Sequence, residues 1–222
     1  MNNSIVLKGV SKVYHNKTGR SVCALDLVDL EAKGGEFLAV IGPSGCGKSS
    51  LLLSIGGLLE VDSGQVVING RDITGLNKVE KTELRAKELA YVFQEFHLIP
   101  YLSVLDNVRV SELMGSCGTE QDALGVLAQF GMEDRANHFP SELSVGEQQR
   151  VAIARAIYSG ASIILADEPT GNLDGENSES VLEALKGFAE KGGIVVMVSH
   201  DERAVFRSHR SVKMLKGRCL GS

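Results

Sequence analysis

Residues 37–50 read Phe37-Leu38-Ala39-Val40-Ile41-Gly42-Pro43-Ser44-Gly45-Cys46-Gly47-Lys48-Ser49-Ser50, an apolar run that opens directly into a loop of the pattern G-x-x-x-x-G-K-[ST]. This order predicts a strand, a glycine loop, and a helix from near Lys48 with Leu51, Leu52, Ile55 and Leu58 as its apolar positions. Gly42, Gly45 and Gly47 let the backbone turn tightly and aim N–H groups at a polyphosphate, while Lys48 supplies a point charge and Ser49 a hydroxyl for Mg²⁺. The helix N-terminus adds its dipole to the same anion site. A chance glycine turn has no reason to meet every fixed position in this context. Ser44, Gly45, Cys46, Gly47, Lys48, Ser49 and Ser50 are therefore candidate contacts to a nucleoside triphosphate.

The chain has 222 residues, 43% hydrophobic and 23% charged, enough for a full core and one compact nucleotide-binding domain over residues 1–222. No apolar stretch approaches the roughly 18–20 residues of a membrane helix. The run Leu51 to Leu59 is short and is broken by Ser54, Gly56 and Gly57. Met1-Asn2-Asn3-Ser4 does not begin a signal peptide. Cys23, Cys46, Cys117 and Cys219 form no C-x-x-C pair, which implies neither zinc nor a disulfide framework and places the chain in a reducing compartment, the cytoplasm. A formal charge of −5 with scattered Lys and Arg argues against nucleic acid as a partner. Any membrane association is expected to come through a protein partner.

Residues 4–95 read mostly as strands around the loop: Ile5 to Leu7, the alternation Val28 to Lys33, Phe37 to Ile41, Gln65 to Ile68 and Leu89 to Phe93, with Asn69-Gly70 and Lys33-Gly34-Gly35 as turns. From about 102 to 160 the pattern turns helical. Thr119 and Asp122 resemble a capping box, and Leu124, Leu127 and Ala128 keep helical spacing until Gly131. The remainder returns to α/β order: strand Ile163 to Ala166, helix 176–190 with Val181, Leu182, Leu185, Phe188 and Ala189 on one face, strand Ile194 to Val198, and a last strand near Val212 to Leu215.

Ile163 to Ala166 runs into Asp167-Glu168, two carboxylates at the end of an apolar strand. Such a pair is commonly a solvated loop start. Downstream of a phosphate-binding loop it fits a metal-holding Asp167 and a Glu168 that accepts a proton from an attacking water. Between the two motifs lies Leu143-Ser144-Val145-Gly146-Glu147-Gln148-Gln149-Arg150-Val151-Ala152-Ile153-Ala154-Arg155-Ala156. This segment resembles the signature motif and helix of the ATP-binding cassette (ABC) ATPases, and the resemblance runs over nearly the whole chain. Ala166 to Asp174, Phe93-Gln94-Glu95-Phe96-His97-Leu98-Ile99-Pro100 and the short C-terminus resemble the MacB, LolD and FtsE group within it.

The resemblance implies an α/β P-loop NTPase with a RecA-like core, an N-terminal antiparallel β subdomain and a helical subdomain at about 95–160. It implies that Ser144, Gly146 and Glu147, at a helix beginning near Glu147, face the γ-phosphate held by an opposite subunit. Tyr14 matches the aromatic that stacks on adenine, although a Tyr at a strand end is often ordinary surface. Gln94 matches the loop glutamine near Mg²⁺ and the attacking water, which makes Ser49, Gln94 and Asp167 the metal set. Asn172-Leu173-Asp174 matches the loop that crosses the dimer, with Asp174 also a plausible helix cap. His200 matches the switch histidine; Ser199-His200-Asp201 is no hydrolase triad, because adjacency in sequence does not produce that geometry. Glu168, His200 and Gln94 are thus the catalytic candidates. One departure is Val145, where the family has glycine; its branched Cβ is expected to restrict the backbone near the partner's phosphate and to slow the enzyme or weaken its dimer.

The implied cofactors are ATP and Mg²⁺, and the implied partners are a second copy in a head-to-tail homodimer and an integral membrane permease of the MacB, LolC or FtsX kind. The implied place is the cytoplasmic face of the inner membrane, where the dimer would drive export or extraction of a lipid, lipoprotein or drug-like substrate. The apolar stretch Phe96, Leu98, Ile99, Pro100 and Tyr101 would help line the groove for the permease's helix, or serve the helical subdomain's own core. Two rivals stay open: an FtsE-like ATPase that transmits force without transport, and a soluble ABC ATPase such as that of iron–sulfur cluster assembly. A chromosome-structure member would place a long coiled coil between the motifs, where fewer than 100 residues intervene. A GTPase is disfavoured because Asn77-Lys78-Val79-Glu80 only mimics N-K-x-D.

Overall fold

The computed structural model describes residues 3–15, 21–115, 118–171, 173–200 and 202–220, the side chains of 114 and 202–204 aside. Asn172 and Asp201 of the motifs above lie outside the described residues.

The strands form two sheets. The first is antiparallel and runs β2 (Ser21–Lys33), β1 (Ser4–His15), β4 (Ser63–Ile68), β5 (Arg71–Asp72). Register shifts along the β1–β2 pair between Leu7 and Val13 bend it, as bulges do, and bring Tyr14 at its far end over the phosphate-binding loop. The second runs β10 (Arg218–Leu220), β9 (Arg210–Leu215), β3 (Glu36–Ile41), β8 (Ile194–Ser199), β7 (Ile163–Asp167), β6 (Leu89–Val92). All its neighbours are parallel except the β9–β10 hairpin.

Alternation along the central strands divides the interior into two cores. Phe37, Ala39, Val195 and Met197 join the helical side, together with Val181, Leu182 and Leu185 of α6 (Gly175–Glu190). Leu38, Val40, Val196 and Val198 face the antiparallel sheet and α1 (Lys48–Ile55), which contributes Leu51, Leu52 and Ile55. Because both faces are covered, these strands read in sequence as unbroken apolar runs. The remaining helices are α2 (Lys78–Glu88), α3 (Val104–Arg109), α4 (Glu120–Gln129), α5 (Val145–Tyr158) and α7 (Glu202–Arg207), with 3₁₀ turns at 110–114, 133–135 and 140–142.

Three readings need correction. Helix α2 interrupts the segment read as mostly strands: Asn77 caps it, accepting from the Val79 and Glu80 N–H groups while Glu80 accepts from the Asn77 N–H, so the residues that mimic a base-reading motif are a capping box. The C-terminal strand is the first half of a hairpin, closed by Lys216-Gly217. Helix α5 starts at Val145 rather than near Glu147, with Ser144 as its cap; the Thr119–Asp122 box does cap α4.

Asn107 pins the chain between β6 and α3. It is fully buried, its Oδ1 accepts from the Ile99 N–H at 2.7 Å, and its Nδ2 donates to the carbonyls of Ile99, Leu102 and Ser103 at 3.0–3.1 Å. Replacing Asn107 by Ala strands those groups and is expected to destabilise the fold by about 1–3 kcal/mol in urea titration. Asn107→Asp should cost more, since it turns a carboxylate oxygen toward three carbonyls.

Candidate active site

Register alone assembles one edge of the sheet. Ile41 pairs with Ser199 and Asp167 with Val198, so the segments that follow β3, β7 and β8 leave the sheet side by side. They leave from the carboxyl ends of parallel strands, where open α/β sheets place ligands. An open cavity of about 680 Å³ lies there, lined by Tyr14, Ser44, Gly45, Gly47, Lys48, Ser49, Ser50, Gln94, Asp167, Glu168 and His200 among others.

The loop can take its path only with glycine at its tight points. Gly47, the cap of α1, has φ +111°, and a Cβ there would lie 2.1 Å from the Ala24 carbonyl oxygen. No side chain caps α1, which leaves its first N–H groups facing the cavity as anion donors. Lys48 is buried and donates to the carbonyls of Gly42 at 2.8 Å and Pro43 at 3.2 Å, the backbone of its own loop.

Glu168 has φ +49°, a left-handed conformation uncommon for a non-glycine residue. Its backbone N–H donates to the Val198 carbonyl at 3.0 Å. One carboxylate oxygen lies 2.9 Å from His200 Nδ1 and accepts from the Ser199 hydroxyl and the His200 N–H at 3.3 Å; the other lies 4.0 Å from Lys48 Nζ. Burial pushes the Asp167 carboxyl above the ordinary carboxylate range against the opposing hydrogen bond from Ser49, and the neighbouring Glu168 charge pushes the same way. Ser49, Asp167 and the Gln94 amide supply hard oxygen donors, and such a small set suits Mg²⁺, which keeps waters and shares phosphate ligands. Among the described residues no group of three or more His, Cys, Asp and Glu is placed to hold a metal by protein ligands alone.

Tyr14 is half exposed, and its hydroxyl lies 3.4 Å from Ser50 Oγ. Cys46 does not line the cavity: its thiol is buried against Gly42, leaving only its backbone to act on a ligand. Val22, Ala24 and Gly171 line it without having been singled out, since nothing in their residue types marks them.

Besides Cys46, four candidates lie outside this cavity. Ser144 and Glu147 cap α5 reciprocally, the Ser144 N–H donating to the Glu147 carboxylate at 2.8 Å and the Glu147 N–H to Ser144 Oγ at 3.3 Å, and the backbone bond helps hold the Glu147 carboxyl below its ordinary range. Gly146 is the next position of that helix, where a Cβ would lie 3.3 Å from Leu173. Asp174 caps α6, accepting from the Asn177 N–H at 2.9 Å. Val145 forms the first residue of α5, away from the positive-φ positions, and its side chain projects 53% exposed beside Ser144.

The ABC transporter family profile matches residues 25–171. The chain belongs to the ABC transporter family. It is an ABC ATPase cassette, of the group that includes the ATPase portion of MacB. It is 39% identical to the macrolide export ATP-binding/permease protein MacB of Escherichia coli, covering 99% of this chain and 34% of that one. It is 38% identical to an uncharacterized ABC transporter ATP-binding protein of Methanocaldococcus jannaschii, covering 96% of both. The dimeric post-hydrolysis structure of the ATP-binding cassette MJ0796 bound to ADP and Pi superposes with a TM-score of 0.91 at 37% identity, covering 98% of this chain and 97% of that one. The cassette spans about a third of the length of the MacB relatives. Among the described residues no helix is long and apolar enough to cross a membrane.

The sign of the Asp167 shift makes a prediction. A carboxyl whose folded pKa is raised penalises the fold above that pKa, and the penalty disappears as pH falls below the unfolded value. Asp167→Asn should therefore raise the melting temperature of the nucleotide-free cassette at neutral pH, with the gain shrinking in acid. Scans across pH would check it.

Proposed function

We propose that the cassette binds Mg-ATP between two copies arranged head to tail and hydrolyses it to drive a separate membrane subunit. The observation that supports this is the division of the candidate residues. Lys48, Ser49, Gln94, Asp167, Glu168 and His200 converge on one cavity, whereas Ser144 and Gly146, at an exposed helix start, stand outside it. A single chain then carries two half-sites, and a second copy turned about a two-fold axis offers its Ser144 helix start to the first copy's γ-phosphate. The Ser144 oxygen accepts from the Glu147 N–H and its hydroxyl also bonds the Glu147 carboxylate, so reaching a phosphate across the interface would mean exchanging that second bond for one to the phosphate.

In this reading the γ-phosphate draws Lys48 away from the Gly42 and Pro43 carbonyls. Glu168, aimed by His200 and Ser199, accepts the proton of a water attacking the γ-phosphorus as the bond to the leaving ADP breaks. Ser49, Asp167 and Gln94 would hold Mg²⁺, which when bound neutralises charge on the phosphates. Tyr14 would stack on the base. Asp174 would hold the loop before α6 in place at the interface. Loss of γ-phosphate contacts after hydrolysis would favour the open state, a shift driven by differential affinity.

The whole chain would act as one ATP-binding domain, with the helices between Val104 and Tyr158 as its helical subdomain. The membrane partner would be a permease of the MacB kind on the cytoplasmic face of the inner membrane, working in export or extraction of a lipid, lipoprotein or drug-like molecule. Leu98 packs on the helical core, while Tyr101 is 79% exposed and available to a docking helix. Glu168→Gln should lower turnover roughly 10²–10⁴-fold, the range for loss of a general base, while ATP-dependent dimers persist in sedimentation. Unchanged turnover would refute the role of Glu168.

A further inference from the structure

Arg155, in the last turn of α5, carries a largely buried guanidinium whose pKa is drawn down by lost hydration. A buried charge needs hydrogen-bonding partners, and here they are main-chain: Nη1 donates to the His97 carbonyl at 2.8 Å and Nη2 to the Phe96 carbonyl at 2.7 Å. Those carbonyls belong to consecutive non-glycine residues in left-handed backbone, φ +26° at Phe96 and +47° at His97. The His97 N–H turns back onto the Glu95 carbonyl, and the His97 ring packs edge-on against Phe93, 4.9 Å between centroids. The segment so held begins directly after Gln94, which lines the nucleotide cavity.

Backbone in this region relaxes unless its surroundings over-determine it, and such segments gather where position matters to function. A planar guanidinium making two N–H···O bonds fixes both the place and the tilt of the turn; an ammonium, a point charge on a flexible stem, does not. Helix α5 has 14 residues, a rod about 21 Å long, with Ser144 at its other end. We propose that Arg155 is a positioning residue that fastens the turn after Gln94 to α5, so that a shift of Gln94 toward bound nucleotide is carried along the helix to Ser144. The proposal rests on the reading of Gln94 and Ser144 given above.

The test uses the full chain. In the Glu168→Gln background, at a concentration where sedimentation shows monomers so that no partner's phosphate covers Ser144, hydrogen exchange of peptides covering 94–99 and 144–150 is compared without and with saturating Mg-ATP. With Arg155 present both segments change protection; with Arg155→Lys only 94–99 responds. In the otherwise native chain, Arg155→Lys is expected to lower kcat roughly tenfold with KM within about twofold, and to lower it no further when combined with Gln94→Ala, as residues acting through one another do. Melting of Arg155→Lys and Arg155→Met, read alongside, separates lost packing from lost hydrogen bonds. An undiminished response of 144–150 in Arg155→Lys, or rate losses that multiply, would overturn the proposal. If Gln94→Ala alone leaves kcat intact, the reading of Gln94 fails, while the exchange experiment still decides the role of Arg155.

Discussion

Between the Ala24 carbonyl on β2 and the Met214 carbonyl on β9 there is room for the backbone of the phosphate-binding loop but not for side chains at its tight points. A Cβ on Gly47 would sit 2.1 Å from the first and one on Gly42 2.2 Å from the second. The loop is thus clamped by both sheets, and that clamp sets where α1 begins and which way its unpaired N–H groups point. Parallel register then does the rest: the chain leaving β7 brings Asp167 and Glu168, and the chain leaving β8 brings Ser199 and His200, to the same edge. A shift of one residue in either pairing would turn Glu168 away from His200 and Lys48.

Much of this was legible in the sequence because it depends on local chemistry. The glycine spacing at 42, 45 and 47, the two carboxylates ending an apolar strand and the Thr119–Asp122 capping box each announce themselves within a few residues. What escaped depends on partners far along the chain or on weak periodicity. Helix α2 buries only Leu84, so it carries almost no apolar stripe, and its Asn77 cap was read for its resemblance to a base-reading motif. Strand β10 is three residues long. Arg155 and Asn107 act on main-chain carbonyls, which no residue type advertises.

The same geometry shows why the cassette reads as half of a machine. Its cavity gathers the groups proposed to hold and polarise a terminal phosphate and to activate water against it, while the helix start proposed to cover that phosphate caps itself at an exposed surface. Arg155 joins the two regions through one rigid helix. ATP would then act as the glue between copies, and hydrolysis as its removal.

The central claim, that one chain cannot complete its own catalytic centre, is tested most directly by measuring specific ATPase activity against protein concentration, with molecular mass read on the same samples by sedimentation. The account predicts that activity per chain rises with concentration and levels off as dimers form in Mg-ATP. Activity per chain that stays constant while the protein sediments as a monomer throughout would contradict it.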